Sequence, residues 1–397
     1  MQTNLSKKLP IGIWGLGFVS LLMDVSSELV HSLLPLYMAS VLGASMLTIG
    51  LIEGIAEATA AITKVFSGVI SDAIGKRKPL LIFGYGLATL SKPIFPLAGS
   101  IGWVFTARFM DRLGKGVRVA PRDALVADIT PEHMRGAAYG LRQALDSVGA
   151  FIGPLLAVIG LLWLADDIRS VLWIAVIPAV LAVTVLIVVV REPKADSTVH
   201  SVRAPFKFSD VKQLTRRYWW VAALGAVFTL ARFSEAFLVL RAESLQLSLA
   251  YIPLVMVAMN IAYALIAYPA GKLSDRLSAR SLLMFGLVIL VLAYMVLAIA
   301  NNIWLVFLGA ILWGVHMGLT QGLLNKLVAD AAPQSLRGTA FGVFNLVSGV
   351  ALLFASMIAG LLWQQLGASA TFIGGGVFAM ITLMGMGVYS FRGGKKR

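Results

Sequence analysis

The sequence contains no cysteine, which excludes disulfide bridges and cysteine-ligated metal sites. Charge is scarce too. Only 13% of the 397 residues are Asp, Glu, Lys or Arg, against 59% hydrophobic residues, and the mean hydropathy is +0.87. A soluble domain of this size cannot cover so much apolar surface, so a globular water-soluble protein is excluded. No glycine-rich nucleotide-binding loop is present, which argues against an ATP-driven pump. No nucleophile stands beside a base in a spacing that supports covalent chemistry, so an enzyme is not expected. Nothing calls for a cofactor or a metal. Polar stretches are equally rare: the only long one covers residues 191–217.

What fills the remaining length is apolar runs of about 20 residues or more, enough to cross a bilayer as helices. Twelve are read at 11–38, 46–70, 79–99, 102–127, 136–163, 168–190, 218–243, 250–272, 280–300, 303–329, 338–363 and 370–391. The first is too long for a signal-peptide core and no small-residue cleavage pattern follows it, so it is expected to remain in the mature protein. The expected fold is an all-α membrane protein of twelve transmembrane helices in two pseudo-symmetric six-helix bundles. The polar stretch divides them: an N-terminal bundle at 1–190, a basic linker at 191–217, and a C-terminal bundle at 218–397.

Net charge is +14, a value that raises the question of nucleic acid. Its placement answers otherwise. Lys7 and Lys8, Lys76 to Lys78, Arg135, the stretch from Arg191 to Arg217, Arg276, Arg280 and the stretch from Arg392 to Arg397 fall in alternate gaps or near the termini. The other gaps are nearly free of basic residues, with Arg169 and Arg241 the main exceptions. This is the positive-inside pattern, and it puts both termini in the cytoplasm. The expected partners are membrane lipids with anionic head groups, not nucleic acid.

The chain also repeats itself. Residues 125–140 read LVADITPEHMRGAAYG and residues 327–342 read LVADAAPQSLRGTAFG, nine of sixteen positions being identical. GVISDAIGKRKPLL from Gly68 has its copy in GKLSDRLSARSLL from Gly271. Two similar halves in a membrane protein place a solute pathway between them, which is the logic of a secondary transporter.

These residues resemble the major facilitator superfamily, over essentially the whole chain. Gly68, Asp72 and Gly75, followed by Lys76, Arg77 and Lys78, are similar to that family's signature between its second and third helices. The resemblance implies a cytoplasmic gate formed by Gly68, Asp72, Gly75, Arg77, Asp128 and Arg135, broken when the transporter opens inward. The copy keeps Gly271, Asp275, Arg276 and Arg280 but has Ser278 in place of Gly75. In the fifth span, Gly149, Gly153 and Pro154 resemble the GxxxGP element of the family's antiporters. That element also reads as a plain small-residue packing face with a bend at Pro154. In the fourth span the sequence departs from the family pattern, being far more charged.

Charges at membrane depth are costly and usually serve a pathway, a proton relay or a paired network. In the fourth span Arg108, Asp111, Arg112, Lys115, Arg118, Arg122 and Asp123 fall within about a 140° arc of one helix. The first span carries Asp24, Glu28 and His31, the second Glu53, Glu57 and Lys64, the third Lys92, and the fifth Arg142 and Asp146. The matching positions of the second half are mostly uncharged: Ala310, Trp313, Gly314, Met317, Thr320 and Leu324 for the fourth span, Phe344 and Ser348 for the fifth. The fold alone therefore does not require these charges. Eight cations stand against seven carboxylates, a near-balance that also fits a salt-bridge network holding the helices together.

Asp24, Glu28, Glu53 and Asp146 are the proton-coupling candidates, with Arg112 and Arg142 as exchange partners. Glu57, Arg108, Asp111, Arg112, Lys115, Arg118, Arg142, Phe344 and Asn345 are the substrate and charge-network candidates, and Phe233, Phe237, Trp313 and Phe341 extend the apolar wall. Trp14, Trp103, Trp219, Trp220, Trp304 and Trp363 are expected as anchors at the membrane interface. The leading expectation is proton-coupled export of a small organic solute by antiport, resembling the family's drug and metabolite efflux branch. The alternative is uptake of an organic anion by proton symport. A monomer in a bacterial-type inner or plasma membrane is expected.

Overall fold

The computed structural model describes residues 9–192, 208–274, 277–320, 322–333 and 336–393, and every regular element among them is a helix. Lys7 and Lys8, residues 193–207 of the expected linker, Asp275 and Arg276 of the repeated signature, and Lys395 to Arg397 lie outside the described residues. By packing, the chain forms two compact units: Met1–His31 with Thr63–Pro205, and Ser32–Ile62 with Phe206–Arg397. Residues 32–62 thus pack with the second unit although they precede the rest of the first in sequence.

The first unit is built on α1 (Ile11–Leu36), α2 (Met46–Ile74), α3 (Lys78–Ser91), α4 (Ile94–Leu97), α5 (Ile101–Ile129), α6 (Arg135–Trp163), α7 (Ile168–Ile174) and α8 (Val176–Val188). The 32–62 segment, which holds the end of α1 and the first part of α2, is counted with the second unit. α3 packs on α5 and α8, and α4 and α6 on α7. The second unit continues with α9 (Arg216–Leu230), α10 (Ala236–Ser244), α11 (Leu254–Ser274), α12 (Ala279–Ile299), α13 (Ile303–Thr320), α14 (Leu323–Ala331), α15 (Arg337–Leu366) and α16 (Ala368–Gly393). Here α13 packs on α11 and α12, and α16 on α12, α15 and α9.

Helices satisfy their own backbone hydrogen bonds, the condition for lying in hydrocarbon. Among the described residues, ten helical stretches are long and apolar enough to cross a membrane. Two expected spans differ, each for a local reason. α5 has the length, 29 residues, but its charges take it out of that set. The stretch expected as one span over 218–243 is interrupted between α9 and α10, at Ala231 to Glu235. The surface is inverted relative to a soluble protein: Phe66, Ile177, Leu265, Met295 and Ile373 are more than half exposed, while Arg108 and Lys92 are buried.

Trp14, Trp103, Trp219, Trp220 and Trp304 are exposed near the starts of α1, α5, α9 and α13, as expected of interfacial anchors. Trp363 is not one of them. Its ring lies 5.8 Å from Phe237 and 6.2 Å from Phe372, inside an aromatic cluster of the second unit. Arg241, an exception to the positive-inside pattern, is buried and donates to the carbonyls of Leu297 (3.2 Å) and Ala300 (2.6 Å). It closes the C-terminal end of α12, where last-turn carbonyls have no helical partner and the helix dipole favours a cation.

Candidate functional site

The charged face of α5 is buried: Arg108, Asp111, Arg112, Arg118 and Arg122 are all less than a tenth exposed. Two cations converge on Asp111. Lys92 Nζ donates to its Oδ1 at 2.8 Å, and Arg112 Nε lies 3.6 Å from its Oδ2. Lys92 reaches this point because the helix breaks there. Pro93 has no N–H to continue α3, so Lys92 sits between α3 and α4, where it also donates to Ser27 on α1. Arg122 donates to Ser20 at 3.0 Å and to Asp123 at 3.3 Å. Arg118 stacks over the Tyr85 ring at 4.7 Å, and its Nη1 has no hydrogen-bond partner among the described residues.

The carboxylates of α1 face this cluster. Asp24 and Glu28 are half-buried. Asp24 lies in the electrostatic range of Asp146, Lys115, Arg118 and Arg122, and Glu28 in that of Lys115 and Arg112. Glu28 Oε2 is 3.6 Å from His31 Nδ1. Asp146 accepts from Arg142 at 2.6 Å, and Arg142 Nε lies 3.9 Å from Asp123. The antiporter-like glycines set the spacing. A Cβ at Gly149 would meet the Leu21 carbonyl at 2.7 Å and Asp24 Cβ at 3.0 Å; one at Gly153 would meet the Val25 carbonyl at 2.7 Å and Glu28 Cβ at 2.8 Å. Only glycine lets α6 lie this close to α1, at the two residues that carry the carboxylates. Pro154, buried on α6, follows this contact.

Of the residues expected to form a gate, Asp72 and Asp128 meet on Arg77. Its guanidinium donates to Asp72 at 2.6 Å, Ser71 at 2.7 Å and Asp128 at 3.4 Å. Glu192 accepts from the backbone N–H groups of Arg77 and Lys78, capping the start of α3. Gly75 takes φ +67°, a left-handed turn that places Arg77 back over Asp72. Gly68 lies against Ala120 of α5. Arg135 is apart from Arg77: it is exposed and lies 3.6 Å from Glu132.

Glu53 and Glu57 belong to the segment counted with the second unit. Glu53 is fully buried, and Ser234 Oγ donates to its Oε2 at 3.3 Å. Ser234 lies in the α9–α10 break, whose backbone groups are satisfied by side chains: Ser234 N–H donates to Ser356, Ala236 N–H to Ser234, and Tyr294 to the Ala231 carbonyl. Around the break Phe233 contacts Phe237, Tyr294, Trp313 and Phe372, with ring centroids 5.4–5.9 Å apart. Phe344 is apart from this group. It is buried against Gly225 in a core of α9, α14 and α15 that includes Tyr218, Val221 and Val328. Asn345 is half-buried on α15, and Phe341 is at the edge of the same core.

Sequence reasoning missed His316. It is fully buried on α13, its Nδ1 is 2.7 Å from the Gly286 carbonyl, and its ring is 5.7 Å from Phe228, over which Arg232 also lies. The signal was available as an isolated histidine inside an apolar run, and as Arg232-Phe233-Ser234-Glu235 in mid-span. Among the described residues, no three His, Asp or Glu side chains converge as metal ligands would.

A sequence profile of the Major Facilitator Superfamily matches residues 16–240 and 230–396. An "uncharacterized MFS-type transporter" of Methanocaldococcus jannaschii is 32% identical over 389 residues, covering 95% of this chain and 94% of the relative. The multidrug resistance protein MdtH of Yersinia pestis is 28% identical over 349 residues, 86% of this chain and 84% of its own. In fold, the chain is similar to a crystal structure of a POT family transporter in complex with a thioalcohol conjugated peptide, with TM-score 0.80 over 96% of each chain at 15% identity. With that profile and these relatives spanning nearly its whole length, this integral multi-pass membrane protein belongs to the major facilitator superfamily.

Proposed function

We propose that this chain is a secondary transporter that exports a small organic solute in exchange for protons, by alternating access between its two repeated halves. In this reading it crosses a bacterial-type inner or plasma membrane twelve times as a monomer, with both termini in the cytoplasm. α5 and the broken α9–α10 stretch supply the two crossings that fall short on apolarity alone. The observation that carries the reading is the setting of Asp24. This half-buried carboxylate faces one acid, Asp146, and three cations of α5, and the glycine face of α6 seats its backbone. A carboxylate balanced between a like charge and several cations changes proton affinity when small helix movements shift those distances. Glu28 beside His31, and Asp146 on Arg142, are the next carriers in line, and Glu53 is the corresponding group of the second unit. The name of the relative MdtH, a multidrug resistance protein, supports export.

Uptake of an organic anion by proton symport is the second reading, and charge supports it. α5 alone carries Arg108, Arg112, Lys115, Arg118 and Arg122 against Asp111, Asp123 and Asp128.

Everted vesicles acidified inside and loaded with a pH-sensitive dye test the proposal, using a panel of cationic, neutral and anionic compounds. Collapse of the gradient by one class, lost in Asp24→Asn, is the expected result. No response to any class, with anion-driven proton entry in right-side-out vesicles, overturns export in favour of uptake. Unchanged activity in both Asp24→Asn and Asp146→Asn rejects the coupling residues.

A further inference from the structure

Lys92, Arg122 and Arg142 are each tied to a carboxylate by a hydrogen bond, to Asp111, Asp123 and Asp146 in turn. Arg118 is held differently. Its guanidinium is buried 4.7 Å over the Tyr85 ring, and its Nη1 has no hydrogen-bond partner among the described residues. The buried Tyr85 hydroxyl has none there either. What Tyr85 offers is therefore the face of its ring. The seat is rigid. α3 and α5 cross at Gly84 and Gly114, where a Cβ on either would meet the other's carbonyl, at 2.8 and 2.5 Å respectively. Tyr85 follows the first glycine, and Arg118 stands one turn beyond the second.

The register of α5 against α1 sets Arg118 opposite Asp24. The two helices run antiparallel: Arg122 donates to Ser20, while Asp111, earlier on α5, is joined through Lys92 to Ser27, later on α1. One turn along α1 from Ser20 is Asp24, and one turn back along α5 from Arg122 is Arg118. Asp24 lies in the electrostatic range of Asp146 on α6 and of Lys115, Arg118 and Arg122 on α5. Lys115 is shared with Glu28, and Arg122 with Ser20, Asp123 and Asp146. Around these groups stand Glu28 and His31 of α1, Lys64 of α2, Lys92 of α3 and Arg142 of α6. Of the cations in range, Arg118 is the one whose described contact is a ring, which holds a cation weakly enough to release it.

We infer that Arg118 is the exchange partner of Asp24, and that the Tyr85 ring is the seat on which it rests between exchanges. With Asp24 protonated, the guanidinium stacks on Tyr85. When the proton leaves Asp24 for water, the guanidinium crosses to the carboxylate and balances its charge, and no other bond changes. Tyr85 is thus a positioning residue, acting on Asp24 through Arg118. The inference rests on the reading of Asp24 as proton carrier and names its counter-charge. Arg112 and Arg142, the partners expected from sequence, are instead set beside Asp111 and Asp146.

The test is infrared difference spectroscopy of the full chain in lipid, titrated with acid. It reads the carboxyl C=O band that Asp24→Asn removes, and so reports protonation whether or not solute moves. Tyr85→Leu takes away the seat and leaves Arg118 on the carboxylate, so the band's midpoint should move to lower pH by about one unit, a tenfold change in proton affinity. Arg118→Gln should move it the other way by a similar factor, because the ionised form loses its counter-charge. Tyr85→Phe keeps the ring and should keep the natural midpoint. In an Arg118→Gln background, Tyr85→Leu should add nothing. A shift by Tyr85→Leu that persists without Arg118 overturns the proposal, since another cation would then be the mover. So does a shift by Tyr85→Phe as large as that by Tyr85→Leu, which would give the role to the hydroxyl. A band that titrates but ignores both residues overturns it too, and leaves Asp24 as carrier. Absence of any titrating Asp24 band removes the carrier itself, and this exchange with it.

Discussion

α5 and α13 hold corresponding places in the two copies and are made of opposite materials. Where α5 presents Arg108, Asp111, Arg112, Lys115 and Arg118, α13 presents Ala310, Trp313, Gly314, Met317 and Thr320. On α5 the buried groups must find partners of opposite charge: Asp111 gathers Lys92 and Arg112. On α13 Trp313 packs edge-on against Phe233 and Tyr294, and Gly314 brings the helix against the Met259 carbonyl of α11. Both solutions fill a helix-packed interior, so the fold is indifferent between them. The charges of the first unit are an addition to the fold, which is why they are the first place to look for transport chemistry. A similar contrast separates α6 from α15. Gly149 and Gly153 sit on the backbone of α1, while the matching positions of α15 are Ala351 and Ala355.

The largest expected effect comes from unpairing the charged face. Asp111→Leu leaves the fully buried Lys92 ammonium with Ser27 alone and should destabilise the protein by about 3 kcal/mol or more. The double variant Lys92→Met/Asp111→Leu should recover most of that, a non-additivity read by thermal unfolding in detergent. Trp313→Phe on the matching helix should cost about 1–2 kcal/mol, with no partner able to rescue it. Equal losses on both helices, or additive ones at Lys92 and Asp111, would erase the distinction.

Next comes the glycine face. Gly153→Ala forces α6 off α1 at Glu28 and should cost about 2 kcal/mol by overpacking, with transport lost beyond what stability explains. The reciprocal change in the second copy, Ala355→Gly, should cost only about 1 kcal/mol, the ordinary helix-propensity difference. Transport at the natural rate in Gly153→Ala would mean the close approach has no bearing on the carboxylates.

Helix ends give the smaller effects. Arg241→Gln in the second unit strips the α12 carbonyls of Leu297 and Ala300 of a charged donor, for a loss of about 1.5 kcal/mol by chemical unfolding. Asp167 caps α7 in the first unit by accepting from Arg169 N–H, and Asp167→Ala should cost about 0.5–1 kcal/mol. The Ser170 hydroxyl bond, ahead of the backbone bonds, holds the Asp167 carboxyl below its ordinary value of 3.8. A carboxyl lowered on folding stabilises above its unfolded value, and that contribution disappears as pH falls through the folded one. Unfolding at pH 3 and pH 6 should therefore show the cost of Asp167→Ala shrinking at the acid end. Asn302, which caps α13 in the second unit by accepting from Leu305 N–H, cannot titrate, so the cost of Asn302→Ala should not move.

How much of this was legible depends on whether the signal is local. Lys92 was visible as a charge in a span, but its pairing with Asp111 was not, because the break at Pro93 decides where its side chain goes. Glu53 and Glu57 share a stripe of α2, but nothing in that stripe says that Glu53 accepts from Ser234, 181 residues further along. His316 and the interruption at Ala231 to Glu235 were passed over, since one histidine and one polar tetrapeptide barely lower the hydropathy of a long run. Trp363 looked like an end-of-helix anchor because position along a span says nothing of the direction in which a ring points.

The sequence by itself determined the membrane class, the internal duplication, the family and the existence of a charged face, because each is carried by composition, by period or by local motif. Twenty apolar residues are apolar in any context, and a repeat is visible without coordinates. Only the tertiary structure decided which charges meet, which helix the glycine pair presses upon, and where a span is interrupted. Those outcomes depend on residues far apart in the chain being brought within 3–4 Å, at which distance a carboxylate, a guanidinium and a backbone carbonyl select their partners by geometry and local dielectric, and not by order along the chain.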